Sequence, residues 1–433
     1  MTEEIKKTLD ILAEEIVPAE GCTEPIALAY AASLVTDTLD HKIPDSMTVF
    51  LSGNMIKNVK SVHIPNTDDK VGIEYAVAMG AILGDSSRKL MVISDVDRSR
   101  MPLVGKYVEE NRIKVKLEKD CPKLYIRIEA LAGFDSVTVE ISDFHTNVSK
   151  LVKNGANLLS KTDAGLNRRC DLNEEHTDRS FLTTQKICDI ADSIDLNLIE
   201  PLFSKVIRYN SAIADEGLTR TYGIAIGKTI YEGISEGTYG NDLKNNLAGY
   251  AAAGSDARMS GCPLPVMTTS GSGNQGMTCS LPIIKFCRMK GFDHERLIRS
   301  LFVSHMITIH IKEVIGRLSA YCGAMAASAG VAGALCYADR LSVKQVKMAV
   351  ETTLATVSGI ICDGAKSSCA TKIATGVSMA VDAYHSARKN RGLLYGDGIV
   401  GADIESTIDN VGTLGSDGMS ITDDVILDIM MTE

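Results

Sequence analysis

The chain is predicted to be an α+β protein. An N-terminal α/β sandwich-like domain with a mixed or antiparallel sheet is followed by an all-helical C-terminal domain that carries most of its cysteine chemistry. Three observations predict this. Period-two alternation is confined to the first third, helical spacing dominates beyond it, and a polar, charge-rich stretch at Asn167–Arg179 separates the two. The expected domains are residues 1–175 and 176–433, with the N-terminal helix and the loop around Cys22 touching the helical domain.

The elements follow in order. Thr2–Glu20 alternates acidic, basic and apolar residues as an amphipathic helix does, without the pattern of a signal peptide, so a cytoplasmic location is expected. Thr48–Leu51 and Leu90–Ser94 are continuously apolar and predict central strands, with a helix between them at Glu74–Leu83. Ile113, Val115 and Leu117 alternate with Lys114, Lys116 and Glu118. Leu124, Ile126 and Ile128 alternate with Tyr125, Arg127 and Glu129, and Val137, Val139 and Ile141 with Thr138 and Glu140. These are half-buried strands. Beyond residue 180, helical spacing covers Phe181–Ile194, Leu198–Ile213, Leu218–Ile234, Glu295–Val314 and Val343–Val357. Ser342 with Gln345 forms a capping-box signature, and Asp293 is placed to cap another start. Glycine-rich loops are expected at Ser270–Gly276, Cys362–Gly364 and Gly412–Gly418, where backbone amides can approach an anion or cofactor.

Composition narrows the function. With 433 residues, 45% hydrophobic and 23% charged, the chain is an ordinary globular one. A net charge of −10 argues against a nucleic-acid partner, which needs clustered Lys and Arg. The longest apolar stretch begins at Gly323, is built of small residues and is interrupted at Gly330 and Gly333, so no membrane span is expected. Such small residues suit close helix packing, in a homodimer interface or a core alike.

Eleven cysteines, an odd number without an export signal, point to a reducing compartment. Cys362 and Cys369 are separated by six residues with Gly364 between them, and Cys322 heads the small-residue segment upstream. Three such thiolates can hold an iron–sulfur cluster and leave one iron open as a Lewis acid; the spacing fits buried structural cysteines as well. Cys22 lies in Gly-Cys-Thr-Glu-Pro, where Thr23 or Glu24 can cap a helix and Pro25 suits its first turn. A thiol there meets the positive end of a helix dipole, which favours thiolate, a base or nucleophile. Cys188, Cys287 and Cys336 fall in apolar helical runs, Cys121 and Cys170 in polar stretches, and Cys262 and Cys279 flank the Ser270 loop. His305 and His310 are five residues apart, off one helical face, and read as core or surface residues.

Five motifs in order carry a resemblance. They are Gly21-Cys22-Thr23-Glu24-Pro25; Gly53-Asn54 with Lys57-Asn58; Gly271-Ser272-Gly273-Asn274-Gln275-Gly276; Cys322-Gly323-Ala324; and Cys362-Asp363-Gly364-Ala365-Lys366 with Ser368-Cys369-Ala370. Together they resemble the L-cysteine desulfidase family, whose relatives include the α chain of iron–sulfur L-serine dehydratases. The resemblance implies a [4Fe-4S] cluster held by Cys322, Cys362 and Cys369, with Cys22 as the catalytic base. A small amino-acid substrate would be gripped by Asn54, Lys57, Asn58, Ser272, Asn274 and Gln275. The expected reaction is loss of sulfide from L-cysteine, with dehydration of L-serine as the alternative. A metal-binding or redox-sensing protein without catalysis is the rival of another class, and a helical protein with merely buried thiols a third. No pyridoxal phosphate is required, since no lysine sits in an evident Schiff-base motif. Cys279, Ser367, His63 and Asn66 depart from the family pattern, and Cys279 is a competing thiol ligand on paper.

Overall fold

The computed structural model describes residues 2–159 and 177–432. Cys170 and residues 167–176 of the expected linker lie outside them.

Helix α1 (Glu3–Glu15) starts at Thr2, whose side chain accepts a hydrogen bond from the Ile5 amide. Its buried Ile11 and Leu12 join the core of the C-terminal helices. Strand β1 (Pro18–Glu20) leads into α2 (Thr23–Thr38), an alanine-rich helix buried on nearly every face. There follow β2 (Ser46–Leu51), α3 (Gly53–Val59), α4 (Ile73–Leu83), α5 (Met101–Glu109), β3 (Ile113–Leu117), β4 (Tyr125–Ala132), β5 (Asp135–Ser142), β6 (Val148–Lys153) and β7 (Ala156–Asn157). The six-stranded sheet has the order β3-β2-β4-β5-β6-β7. It is mixed because β2 and β3 pair in parallel while the other pairs are antiparallel. The parallel pair needs a crossover, which α3 to α5 supply. Val49, Ile126, Ile128, Val139 and Ile141 form the apolar face, and α2 covers it.

Leu90–Ser94 is not a strand. It leaves a 3₁₀ turn at Ser86–Met91, where Asp85 accepts from the Ser87 amide and Lys89 has φ 50°. Leu90, Val92 and Ile93 are buried against the sheet domain's core, so their apolarity reflects burial of an irregular segment. A short apolar run does not distinguish the two cases.

The remainder is mostly helical: α6 (Thr184–Ser193), α7 (Leu196–Thr219), α8 (Ile226–Glu236), α9 (Leu243–Met259), then β8 (Pro265–Met267), α10 (Gly273–Lys290), α11 (His294–Ile315), α12 (Gly323–Ala338), α13 (Val343–Val357), α14 (Cys369–Arg388), α15 (Ile404–Thr413) and α16 (Ser420–Thr432). The capping box at Ser342 and the Asp293 cap both form. The expected helix Leu218–Ile234 is broken, because Gly223 and Ala225 adopt left-handed backbone and turn the chain between α7 and α8. Gly412–Gly418 is no loop: it spans the end of α15 and a π-helical turn at Leu414–Gly418. Helix α12 is buried along its whole length beyond Gly323, so its small residues serve packing within the chain against α10, α11, α13 and α14. No helix among the described residues is long and apolar enough to cross a membrane.

One strand interrupts the helices. β8 pairs antiparallel with β1, Pro18 opposite Met267 and Glu20 opposite Pro265. Three residues are too few to show alternation. The ribbon matters because β1 runs directly into Cys22 and β8 directly into the Ser270 loop. Buried Asn210 of α7 fastens it, accepting from the Met267 amide at 2.8 Å and donating to Ser280 Oγ at 2.8 Å. Asn210→Ala leaves that amide without its partner, and should lower stability by about 1–3 kcal/mol, read as a lower urea midpoint.

Candidate active site

Four helices begin at one cavity. Cys22 is the N-cap of α2, Ser272 of α10 and Cys322 of α12, while Cys369 is the first residue of α14. All four line the same space of about 750 Å³, its open mouth included. Free amide N–H groups and dipole ends of four helices meet there, which favours negative charge. Thr23 and Glu24 lie inside α2, so the cap role expected of them falls to Cys22.

The cysteine loops are tied together by backbone. The Cys322 amide donates to Ile360 O at 3.2 Å, and the Cys362 amide to Ala320 O at 2.6 Å. Gly364 has φ +94°, and a Cβ there would stand 2.5 Å from the carbonyl oxygen of Lys57, so only glycine lets this loop lie on α3. Lys57, 1% exposed, donates to Cys362 O at 3.2 Å and pairs with Asp423 of α16 at 2.5 Å. Its charge is thereby committed within the protein, and it holds the Cys362 loop. Lys57→Met would strand a buried carboxylate. It should cost about 3–5 kcal/mol in denaturant unfolding, and the double variant Lys57→Met/Asp423→Leu should recover most of it.

All ten residues singled out from the sequence line this cavity: Cys22, Asn54, Lys57, Asn58, Ser272, Asn274, Gln275, Cys322, Cys362 and Cys369. Asn54 Oδ1, Asn58 Oδ1 and Gln275 Oε1 are buried without a hydrogen-bond partner, as acceptors that await a ligand are. Cys279 is elsewhere: it is fully buried in α10 against Thr308 Oγ1 at 3.2 Å and does not line the cavity. His305 is buried against Thr269, and His310 pairs with Glu405.

Burial sets the electrostatics. It pushes Cys322 up to about 12 and Cys369 up to about 11, and Cys362 discourages ionisation of both. It also pushes Cys22 up to about 12, against the opposing Arg258 guanidinium and with Glu24 reinforcing. The thiolate expected at Cys22 from the helix dipole is therefore not its resting form; loss of solvent outweighs the dipole. Sequence reasoning missed three cations of the cavity wall, Arg258, Lys312 and Arg317. Burial pushes Lys312 down to about 8, opposed chiefly by the charge of Cys362. A signal was readable: Asp256 and Arg258 stand in an otherwise small-residue segment, Ala251 to Arg258, whose composition suits burial.

Among the described residues, no three His, Cys, Asp or Glu side chains lie close enough to hold a single ion. Three thiols line one cavity and are the soft donors that iron–sulfur clusters take. Metal coordination deprotonates a thiol outright, which removes the burial penalty noted above. The residues fit a cluster.

Comparison with known proteins bears on the same residues. Residues 87–428 match the family described as the serine dehydratase alpha chain. The chain belongs to that family. A UPF0597 protein of Fusobacterium nucleatum is 54% identical over 430 residues, 99% of this chain and 100% of the relative. UPF0597 proteins of Lachnoclostridium phytofermentans and Treponema denticola are 42% and 40% identical, over 98% and 99% of this chain and 99% and 98% of the relatives. Membership in the serine dehydratase alpha chain family makes this a relative of lyases. Cys22 and the Asn54–Asn58 segment precede the matched span, and the full-length relatives are what cover them.

Proposed function

We propose that this protein is a carbon–sulfur lyase that releases sulfide from L-cysteine, with a [4Fe-4S] cluster held by Cys322, Cys362 and Cys369. One observation carries the reading: three thiols and a fourth, Cys22, share a cavity with unsatisfied amide acceptors. A storage or sensing protein has no use for that fourth thiol or for those acceptors. When bound, the cluster supplies an open iron, a Lewis acid for the departing heteroatom.

The chain's own residues do the rest. Cys22, as thiolate, removes the proton from Cα, and the C–H electron pair becomes the Cα–Cβ double bond as the Cβ–S bond breaks. Sulfide leaves, and the aminoacrylate is hydrolysed to pyruvate and ammonia. The free amides at the N-terminus of α10, with Ser272, Asn274 and Gln275, border the substrate, and Asn54 and Asn58 face it from α3. Lys57 contributes by holding the Cys362 loop. A second reading is dehydration of L-serine at the same site, favoured by the description of the matched family. Sulfur is the softer ligand for iron, which favours cysteine.

The test is anaerobic purification, an iron and sulfide assay, and parallel kinetics with both amino acids. The expected result is a coloured protein with hydrogen sulfide released from cysteine at a higher kcat/KM than pyruvate from serine. A colourless preparation inert toward both would sink the proposal.

A further inference from the structure

We propose that Arg258 anchors the α-carboxylate of the substrate and that Glu24 receives its α-ammonium. The inference rests on reading the cavity as an amino-acid site and narrows the ligand to a zwitterion.

Arg258 stands near the C-terminal end of α9, 3% exposed, on the cavity wall. Its Nε donates to Gly21 O at 3.0 Å. Its two terminal nitrogens have no protein partner and no carboxylate reaches ion-pair distance, among the described residues. A buried charge without a counterion is costly, and a guanidinium with a free planar edge matches a carboxylate bidentately. The glycine-rich loop is shaped around this group. A Cβ on Gly273 would lie 2.5 Å from Arg258 Nε and 2.7 Å from its Cζ, so the glycine leaves room for the guanidinium at the start of α10.

Glu24 is its complement. It lies in the first turn of α2 on the same wall. One oxygen accepts from Thr23 Oγ1 at 3.0 Å and the other from Asn58 Nδ2 at 3.1 Å, and no cation pairs with it among the described residues. An unpaired guanidinium and an unpaired carboxylate thus share one cavity without meeting. Both are built onto the Cys22 segment, Glu24 two residues beyond the thiol and Arg258 bonded to the residue before it. A zwitterion spanning them presents its Cα beside Cys22. The unsatisfied oxygens of Asn54 and Asn58 add acceptors for its ammonium.

The experiment measures equilibrium affinities of the anaerobic, iron-loaded protein, carrying Cys22→Ala so that L-cysteine is not consumed, for L-cysteine, for cysteamine, which lacks the carboxylate, and for 3-mercaptopropionate, which lacks the amine; sulfide release is read separately with Cys22 in place. Arg258→Met should lower the preference for L-cysteine over cysteamine about 100-fold and leave the preference over 3-mercaptopropionate in place. Glu24→Gln should give the reverse pattern. Gly273→Ala, which crowds the guanidinium without removing it, should shift the cysteamine ratio in the direction of Arg258→Met, and decides the matter if that variant fails to fold. Ratios unchanged in Arg258→Met and Gly273→Ala, or a loss of iron that accounts for the weakened binding, would overturn the anchor. The lyase reading is separable: selective binding without sulfide release retires the reaction and keeps the anchor, while sulfide release with unaltered ratios does the opposite.

Discussion

Cys362→Ser is expected to empty the protein of iron. The wild-type chain should carry about four irons, the variant less than one, with turnover down by at least about 10³-fold. The reason is local. Cys362 supplies one of the three proposed ligand thiols among the four on the cavity wall, and a serine hydroxyl at this half-buried position is a poor substitute for a soft thiolate. The loop itself should survive, because the Cys362 amide bonds to Ala320 and Lys57 grips the Cys362 carbonyl irrespective of the side chain. Loss of a bound cluster should also lower the thermal midpoint by mass action. Cys279→Ser is the matched control: that thiol packs against Thr308 inside α10, outside the cavity, and its iron content should match the wild type. Full iron in Cys362→Ser, or iron lost from Cys279→Ser instead, would reassign the ligands.

Cys22→Ala should produce the other large effect, with the opposite signature. Turnover is expected to drop about 10²–10⁴-fold, the range for a positioned acid or base, while iron content and the cluster's visible absorption stay unchanged. The pH profile gives a second readout with a defined sign. Burial holds the Cys22 thiol protonated near neutral pH, whereas the proposed base is its thiolate. Activity should therefore rise with pH, approaching tenfold per unit while the pH stays below the thiol's pKa. L-Serine is the better substrate for this measurement, since it brings no thiol of its own. A flat profile between about pH 7 and 9 would mean that ligand binding has already removed the proton or that another group is the base.

The strands Ile113–Leu117, Tyr125–Ala132 and Asp135–Ser142 were legible because alternation is a short-range signal that survives any tertiary arrangement. The same holds for the capping box at Ser342 and the helix Val343–Val357 behind it. The motif residues stood out through their order along the chain, which resembles that of a known family; spacing by itself fits buried structural cysteines as well. Leu90–Ser94 and Gly412–Gly418 were misread for the converse reason: an apolar run or a glycine-rich one is compatible with several backbones until its neighbours choose.

From the amino-acid order alone came the fold class, because capping and alternation act over a few residues, while the ten candidate site residues came from motifs that resemble a known family. Only the folded chain brings the starts of α2, α10, α12 and α14 to one cavity, since that depends on the β1–β8 ribbon and on the return of α16 to α3. Only the folded chain reveals that Lys57 is already paired and that Arg258, among the described residues, has no ion-pair partner. Burial and charge compensation arise from residues hundreds of positions apart, and so they decide which of the legible groups are free to act.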